Sequence, residues 1–142
     1  MRSSSCRERV SSMQARGRIT RFDHEYNYQS EMKSTSGNSA VIVLTTISAS
    51  ADAAAFARTL VSERLAACVN LLPPMRSIYR WNEAIEENLE QQVVIKTTEE
   101  RVAAIETRLR ELHPYELPEF LIVDASASAP YLAWIGTSVA AT

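Results

Sequence analysis

The feature that most constrains this chain is a regular alternation of two apolar patterns between residues 40 and 125. Short runs rich in β-branched residues, such as "AVIVLTT" at 40–46, are typical of buried strands. Longer segments between them repeat apolar residues at helical spacing. One further segment reads as an extended arm. The predicted strands and arm occupy residues 40–46, 66–73, 76–85, 89–97 and 119–125.

The two predicted helices each have an inward apolar stripe and a recognisable start. Ser50 or Asp52 is expected to cap the first helix by accepting bonds from its free amides. Thr97 and Glu100 have the spacing of a capping box for the second, which Pro114 should end. The stripes are Ala53, Phe56, Ala57, Leu60 and Val61 in the first helix, and Val102, Ile105, Leu109 and Leu112 in the second.

The resulting order, βαββαβ, predicts an α+β fold of the ferredoxin-like sandwich type. In that fold a four-stranded antiparallel sheet carries both helices on one face. Residues 129–139 would add a short helix or a strand-like tail. The other sheet face then has no helix to cover it, and the arm adds more apolar side chains, namely Ile78, Tyr79, Trp81 and Ile85. We therefore expect subunits to cover one another.

Composition divides the chain near residue 39. Residues 1–38 carry seven basic and four acidic residues with few aliphatic ones, which indicates a disordered segment or an over-extended start before Met13 or Met32. The six arginines and five serines of the first 22 residues also fit an organelle transit peptide. The whole chain has a net charge of -2, so residues 39–142, the predicted globular domain, carry -2 - (+3) = -5.

The charge and the cysteine content limit which binding partners and which cellular compartment we expect. An acidic domain argues against nucleic acid as a partner, and no apolar run reaches the roughly 20 residues that span a membrane. Cys6 and Cys68 lie in dissimilar regions, so we expect reduced thiols and a cytoplasmic location, with an organelle as the alternative.

Five motifs together resemble the CutA family of divalent-cation tolerance proteins. They are "ERLAACVN" (63–70), "SIYRW" (77–81), "VVIKTT" (93–98), "HPYELPE" (113–119) and "YLAWI" (131–135), in the family's order and spacing. The resemblance implies a PII/CutA-like homotrimer whose long hairpin arms pair between neighbours. It also implies a role in tolerance to metal ions such as copper. Our leading interpretation adds that Cu²⁺ or another divalent cation is bound weakly, and we expect no nucleotide.

The sequence departs from that family at two places. Copper-binding relatives present a cysteine late in the first strand and a His-His pair before "PY". This chain has Leu44 and Thr45 at the first place and Leu112-His113 at the second, so that ligand set is not intact. The family often has a glycine after "YRW", whereas Asn82 and Glu83 stand here, which predicts a modified hairpin tip.

Four residues are candidate metal ligands: His113, Glu119, Cys68 and Glu116. Each also has a structural interpretation. A cationic His113 would suit the negative end of the second helix, and Cys68 could be a small buried hydrophobe. Glu119 could instead pair with Lys96 or Arg80. A single imidazole holds a metal weakly and needs two or three further ligands, from the carboxylates or from a neighbouring subunit.

The large amphipathic side chains are expected at subunit contacts, where such residues dominate the energetics. They are Trp81, Tyr115, Tyr131 and Trp134. Lys96, at the end of a core strand, would pair with a carboxylate or hold an anion.

Three functions compete. The first is a trimeric metal-ion-binding or response protein that is not an enzyme. The second is a PII-like signalling or scaffold trimer that binds a small ligand or a partner protein between subunits. The connection "NEAIEENLE" is short and acidic, which makes ATP a poor candidate for that ligand. The third, acylphosphatase chemistry, needs an arginine and a glycine after the first strand, where "TTISASAD" has neither.

Overall fold

The computed structural model describes residues 39–141, and the predictions made for residues 1–38 lie outside this range. Strands and helices alternate in the order that the apolar patterns predict. A 3₁₀ turn, Glu99–Arg101, leads into the second helix. The elements are β1 Ala40–Ser48, α1 Ala53–Ser62, β2 Cys68–Leu71, β3 Met75–Trp81, β4 Ala84–Thr98, α2 Val102–Leu112, β5 Leu121–Ala125 and α3 Ala129–Val139.

All the strands pair antiparallel in one sheet with the order β2-β4-β1-β5, and β3 also pairs with β4. Strands β2 and β3 follow one another along the same edge of β4, opposite residues 93–96 and 84–90. Pro73 and Pro74 separate them, because proline has no amide hydrogen to donate to the ladder. Because β3 pairs with the first half of β4, the predicted arm and the third predicted strand form one long hairpin.

The α+β class is confirmed, with an antiparallel sheet and three helices. The C-terminal tail forms a helix, Ala129–Val139, which was the first of the two predicted alternatives. Helix α3 packs beside β4, and the Arg101 guanidinium donates to the Val139 carbonyl at its end. None of the helices in residues 39–141 has the length and apolar character that a membrane crossing requires.

The main core lies between one sheet face and the helices α1 and α2. Burial alternates along β1, because successive side chains of a strand point to opposite faces. The helical stripes pack onto the same face, except for Val61, which was predicted to face inward but is exposed on α1. Each large side chain buried there contributes about 1.5–3 kcal/mol. The cluster includes Val41, Val43 and Ile47 of β1, Phe56 and Leu60 of α1, Val93 and Ile95 of β4, and Ile105 and Leu109 of α2.

The helix starts confirm one prediction and correct another. Asp52 caps α1, its Oδ1 accepting from the Ala55 amide at 2.9 Å. The predicted capping box is wrong, because the Thr97 hydroxyl donates instead to the Leu65 carbonyl at 2.7 Å. Thr98 takes the N-cap position without a side-chain bond.

The hairpin tip between β3 and β4 is a two-residue turn in which both residues have positive φ. Asn82 has φ 46° and Glu83 has φ 66°, the combination found in type I′ hairpin turns. The Arg80 guanidinium donates to the Glu83 carbonyl at 3.2 Å. A glutamate thus occupies the left-handed region at this tip, and the predicted difference from the family's tip stays a prediction.

Outside the main core, many large apolar side chains remain exposed in the single chain. They concentrate on the hairpin arm, on β5 and in the segment before β5. The most exposed are Leu117, Ile78, Ile85, Leu89, Ile122 and Leu121.

Candidate functional site

A cleft of ≈ 830 Å³ opens between the hairpin arm and the segment 114–119 that follows α2. The sheet floor contributes polar side chains, the arm contributes aromatic ones, and the segment contributes two glutamates. The lining comprises Thr46, Ser48, Met75, Ser77, Ile78, Tyr79, Trp81, Asn88, Leu89, Glu90, Gln92, Pro114, Tyr115, Glu116, Leu117 and Glu119.

The cleft exists because β1 is longer than its neighbour β5. Pairing between the two ends at Leu44 and Leu121, so the last residues of β1 have no β5 partner. Because Pro114 disfavours a helical conformation at the residue before it, α2 ends at Leu112. The His113 ring then contacts this free part of β1 at the Thr46 carbonyl. Strand pairing places Ser48 directly opposite Glu90, and Glu90 opposite Met75, so these side chains share one sheet face.

His113 is held at the entrance to this segment by both of its ring nitrogens. Nδ1 accepts from the Tyr115 amide at 3.1 Å, so the proton resides on Nε2, which donates to the Thr46 carbonyl at 2.7 Å. The ring stands edge-on to Phe56, with centroids 6.3 Å apart. Burial lowers the pKa of His113, against smaller opposing effects of the Thr46 carbonyl and the Glu90 charge. The ring is a neutral, buried anchor.

This geometry corrects the predicted structural role of His113. The residue does occupy the C-cap of α2, and its amide donates to the Leu109 carbonyl. A cationic imidazole at the helix end is not supported, because burial favours the neutral form.

Tyr115 and Glu90 form the polar interior of the cleft. Burial and the neighbouring Glu90 carboxylate together raise the pKa of Tyr115 to about 12, so the phenol stays protonated. Glu90 is only 6% exposed, and within residues 39–141 it has no ion-pair partner. A buried carboxylate with a neutral hydroxyl beside it lacks the cation that would normally balance it.

The two predicted carboxylates of the segment differ in their surroundings. The Glu119 carboxylate accepts from Gln92 Nε2 at 2.9 Å, and the same amide nitrogen donates to the Thr45 carbonyl at 2.9 Å. Glu116 is exposed at the rim. The predicted pairing of Glu119 with Lys96 or Arg80 is not observed; a neutral amide takes that place.

Cys68 lies outside the cleft. It is half-buried in β2, directly opposite Lys96 of β4. The structure thus brings His113, Glu116 and Glu119 to one segment and places the thiol on a different strand.

The comparisons with known proteins identify the family. The family model described as CutA1 divalent ion tolerance protein matches residues 41–138. The chain belongs to the CutA1 family of divalent ion tolerance proteins. The resemblance carried by the five sequence motifs is thereby confirmed.

Relatives and solved structures agree with this assignment. The chain is 40% identical over 101 residues to the divalent-cation tolerance protein CutA of Pectobacterium atrosepticum, covering 70% of this chain and 92% of that protein. A crystal structure of CutA from Xylella fastidiosa superimposes with a TM-score of 0.67 at 44% identity, covering 71% and 98%. The structure of the Thermus thermophilus divalent cation tolerance protein gives 0.65 at 38% identity, covering 68% and 94%.

The candidate ligand side chains of one chain, as they are arranged in this structure, do not form a binding site for a divalent cation. No three side chains of the His, Cys, Asp and Glu types converge anywhere in the described part of the chain. His113 has no free lone pair, because one ring nitrogen is protonated and the other accepts a hydrogen bond. A divalent transition metal needs about four ligands. Metal binding by these residues stays a prediction.

Sequence reasoning missed Glu90 and Gln92, which form the floor of the cleft. No periodic signal marked them, because residues 86–92 are polar on both faces of the strand and Leu89 is the only apolar residue among them. The polar floor therefore became visible only from the strand pairing and from the segment that covers it.

Proposed function

We propose that this CutA1 chain acts in tolerance to divalent cations, copper among them, as a homotrimeric binding or response protein without a catalytic cycle. Its family membership supports the link to divalent cations. The observation that carries the assembly is the amount of apolar surface left open on the arm and on β5. Ile78 and Ile85 are 65% and 64% exposed, and Leu117 is 70% exposed.

Such a surface is more than a soluble monomer normally leaves uncovered. Strand β5 is a further reason, because its outer edge has no strand partner within the described residues, and Leu121, Ile122 and Val123 are exposed on it. Exposed apolar edge strands pair with other chains. The proposed trimer, built from ferredoxin-like sandwiches, covers both regions by pairing arms with neighbouring subunits.

Metal ions enter this proposal through His113, Glu116, Glu119 and Cys68. Within one chain these residues do not make a site, so two changes would be needed. A neighbouring subunit would have to supply further ligands, and His113 would have to release one of its two hydrogen bonds. Cu²⁺ favours imidazole nitrogen, and Cu⁺ favours thiolate sulfur.

We base the proposed absence of catalysis on the surroundings of His113 and Cys68. His113 is the only imidazole among residues 39–141, and both of its nitrogens are engaged. Cys68 is the only thiol among the same residues. It lies in β2, which does not line the cleft, and is opposite Lys96 of β4. The cysteine nucleophile and the imidazole base are therefore not adjacent within these residues.

The cleft favours a second candidate function, a PII-like signalling protein that binds a small ligand. The cleft of ≈ 830 Å³ is large enough for such a ligand. Its lining contains three glutamates and, within the described chain, neither lysine nor arginine. That charge disfavours nucleotides, whose phosphates need cationic or amide donors.

Sedimentation of the full-length protein tests the assembly. We expect a trimeric mass at micromolar concentration, and loss of that mass in the double variant Ile78→Lys, Ile85→Lys. Val61→Lys, on the exposed side of α1, is the matched control and should stay trimeric. A monomeric wild type would refute the assembly.

Calorimetry tests the metal role. Cu²⁺ and Zn²⁺ are titrated into the wild type, His113→Ala and Glu106→Ala, the last changing an acid of α2 outside the cleft. Binding weakened only by His113→Ala supports the ligand role of this residue. Equal affinities in all three proteins would remove it from the ligand set.

Growth on graded copper tests tolerance itself. A bacterial strain that lacks its own CutA1 protein is supplied with this chain, and growth is compared with that of the empty strain. Restored tolerance is the expected result, and growth identical to the empty strain would contradict the proposed function.

A further inference from the structure

Two charged side chains of β4 point to the sheet face that lies away from α1 and α2, which we call the open face. Val93 and Ile95 of the same strand belong to the main core. Because successive side chains of a strand alternate between faces, Glu90 and Lys96 point to the opposite face. The extended backbone from Glu90 to Lys96 spans about 20 Å, so these two charges cannot pair within one chain.

Both charges lack a counter-charge among residues 39–141. Glu90 is only 6% exposed and Lys96 is half-buried, yet neither forms an ion pair there. Withdrawing a charge from water without a partner is costly, and the cost rises when another molecule covers the same surface. Each of these charges therefore needs an opposite charge from whatever covers the open face.

The open face around Lys96 is apolar and continues into the surface that the proposed assembly covers. Ile42 of β1 lies directly opposite Lys96, and Val123 of β5 lies opposite Ile42. Leu121 and Val123 are 52% and 45% exposed in the single chain. Exposed apolar strands of this kind are covered by other chains. Lys96 thus lies beside a proposed subunit contact, and Glu90 lies in the cleft whose arm wall the assembly also covers.

The other basic side chains of the described residues are engaged or lie elsewhere. Arg76, Arg108 and Arg110 form ion pairs with glutamates, and Arg80 and Arg101 donate to backbone carbonyls. Arg58 and Arg64 are exposed, in α1 and directly after it. Within residues 39–141, Lys96 is therefore the unpaired cation of the open face. Glu90 is the buried carboxylate of that face.

We infer that, in the assembly, the Lys96 ammonium of each subunit pairs with the carboxylate of the partner subunit's Glu90. This inference rests on the proposed homotrimer and adds the contact that orients its subunits. Each chain carries one cation and one carboxylate at separate places, so one surface meets a different surface of the next copy. Such head-to-tail contacts close into a ring when the rotation between copies permits it. Complementary charges fix the register of an interface and oppose wrong pairings.

Exchange of the two charges tests the pair in the full-length protein. Sedimentation measures trimer dissociation for all variants at one urea concentration below unfolding. Glu90→Lys and Lys96→Glu each place like charges together, which should raise the dissociation constant roughly 100-fold or more. The double variant carrying both changes restores opposite charges and should return to within about 10-fold of wild type. Arg58→Glu with Glu100→Lys, an exchange of exposed charges, is the matched control and should change little.

Neutral variants decide the question if a reversed charge prevents folding, which circular dichroism detects. Glu90→Gln and Lys96→Gln each leave the opposite charge buried without a partner, so each should weaken the trimer roughly 30-fold or more. In the double variant neither charge is left alone. Its loss should therefore be smaller than the product of the two single losses, by about 10-fold or more.

The outcomes separate this inference from the proposed assembly. A trimeric wild type in which the two neutral changes simply multiply, or in which the exchanged variant is not rescued, would refute the Glu90–Lys96 pair alone. Coupling of Glu90→Gln with Arg80→Gln in place of Lys96→Gln would also refute it, because the arm would then supply the cation. A monomeric wild type would refute the assembly and this inference with it.

Discussion

The two halves of β4 belong to one continuous strand, yet they lie in different surroundings. Residues 90–98 lie between β1 and the β2–β3 edge under the helices, and Val93 and Ile95 there are fully buried. Residues 84–89 pair only with β3, and all of them are exposed. Both halves contain large apolar side chains. Burial is therefore decided by the number of neighbouring elements, and the arm half has apolar surface still available for assembly.

The largest effect should come from the buried half. Ile95→Ala removes a fully buried side chain from the middle of the core and should lower the free energy of unfolding by about 2–5 kcal/mol. Urea unfolding followed by circular dichroism measures this. A loss below about 1 kcal/mol, as expected for an exposed site, would contradict the placement of Ile95 between the helices and the sheet.

The arm half should respond through assembly. Ile85 is 64% exposed in the single chain, so Ile85→Lys leaves the core intact but places a charge where subunits are proposed to meet. The melting temperature of an assembling protein rises with protein concentration. Wild type and Ile95→Ala should both show that dependence, and Ile85→Lys should lose it. A dependence unchanged in Ile85→Lys would mean that this part of the arm is not at the interface.

The junction between core and arm should show a smaller, pH-dependent effect. Burial lowers the pKa of His113 below its ordinary 6.5, so between the two values the unfolded chain binds more protons than the folded one. The contribution of His113 is then fully present above pH 6.5 and is lost as pH falls toward the folded pKa, with a slope of at most about 1.4 kcal/mol per pH unit.

His113→Gln removes this titration while keeping an amide that can donate to the Thr46 carbonyl. The difference in unfolding free energy between wild type and His113→Gln should therefore shrink as pH is lowered from about 7.5 to about 5. Urea midpoints across that range measure it. Parallel curves would show that the imidazole is not buried in its neutral form.

Sequence patterns predicted the parts of this fold that depend on local order. The alternation along β1 and the stripe containing Phe56 and Leu60 follow from strand and helix periods. The Asp52 cap depends on an amide only three residues away. Such features need no knowledge of tertiary contacts.

The missed features all depend on distant partners. Thr97 was expected to cap a helix, but the Leu65 carbonyl, 32 residues away, takes its hydroxyl. His113 was expected to be cationic, but packing against Phe56 and bonding to Thr46, 67 residues away, bury it as a neutral ring. Glu90 became a candidate only when the structure showed Tyr115 and the segment 114–119 beside it. In each case the decisive contact joins residues that are far apart in the sequence.

The smallest predicted effect lies at the tip of the arm, farthest from the core. Glu83 has φ 66°, where a side chain with Cβ costs about 1–2 kcal/mol and glycine costs nothing comparable. Glu83→Gly should raise the free energy of unfolding by about 0.5–1 kcal/mol, after the greater flexibility of glycine in the unfolded chain is subtracted. Asn82→Gly is the matched control; asparagine tolerates this region better, so its gain should be smaller. Urea unfolding of both variants makes the comparison, and an equal or larger gain from Asn82→Gly would show that the strain of the tip is not centred on Glu83.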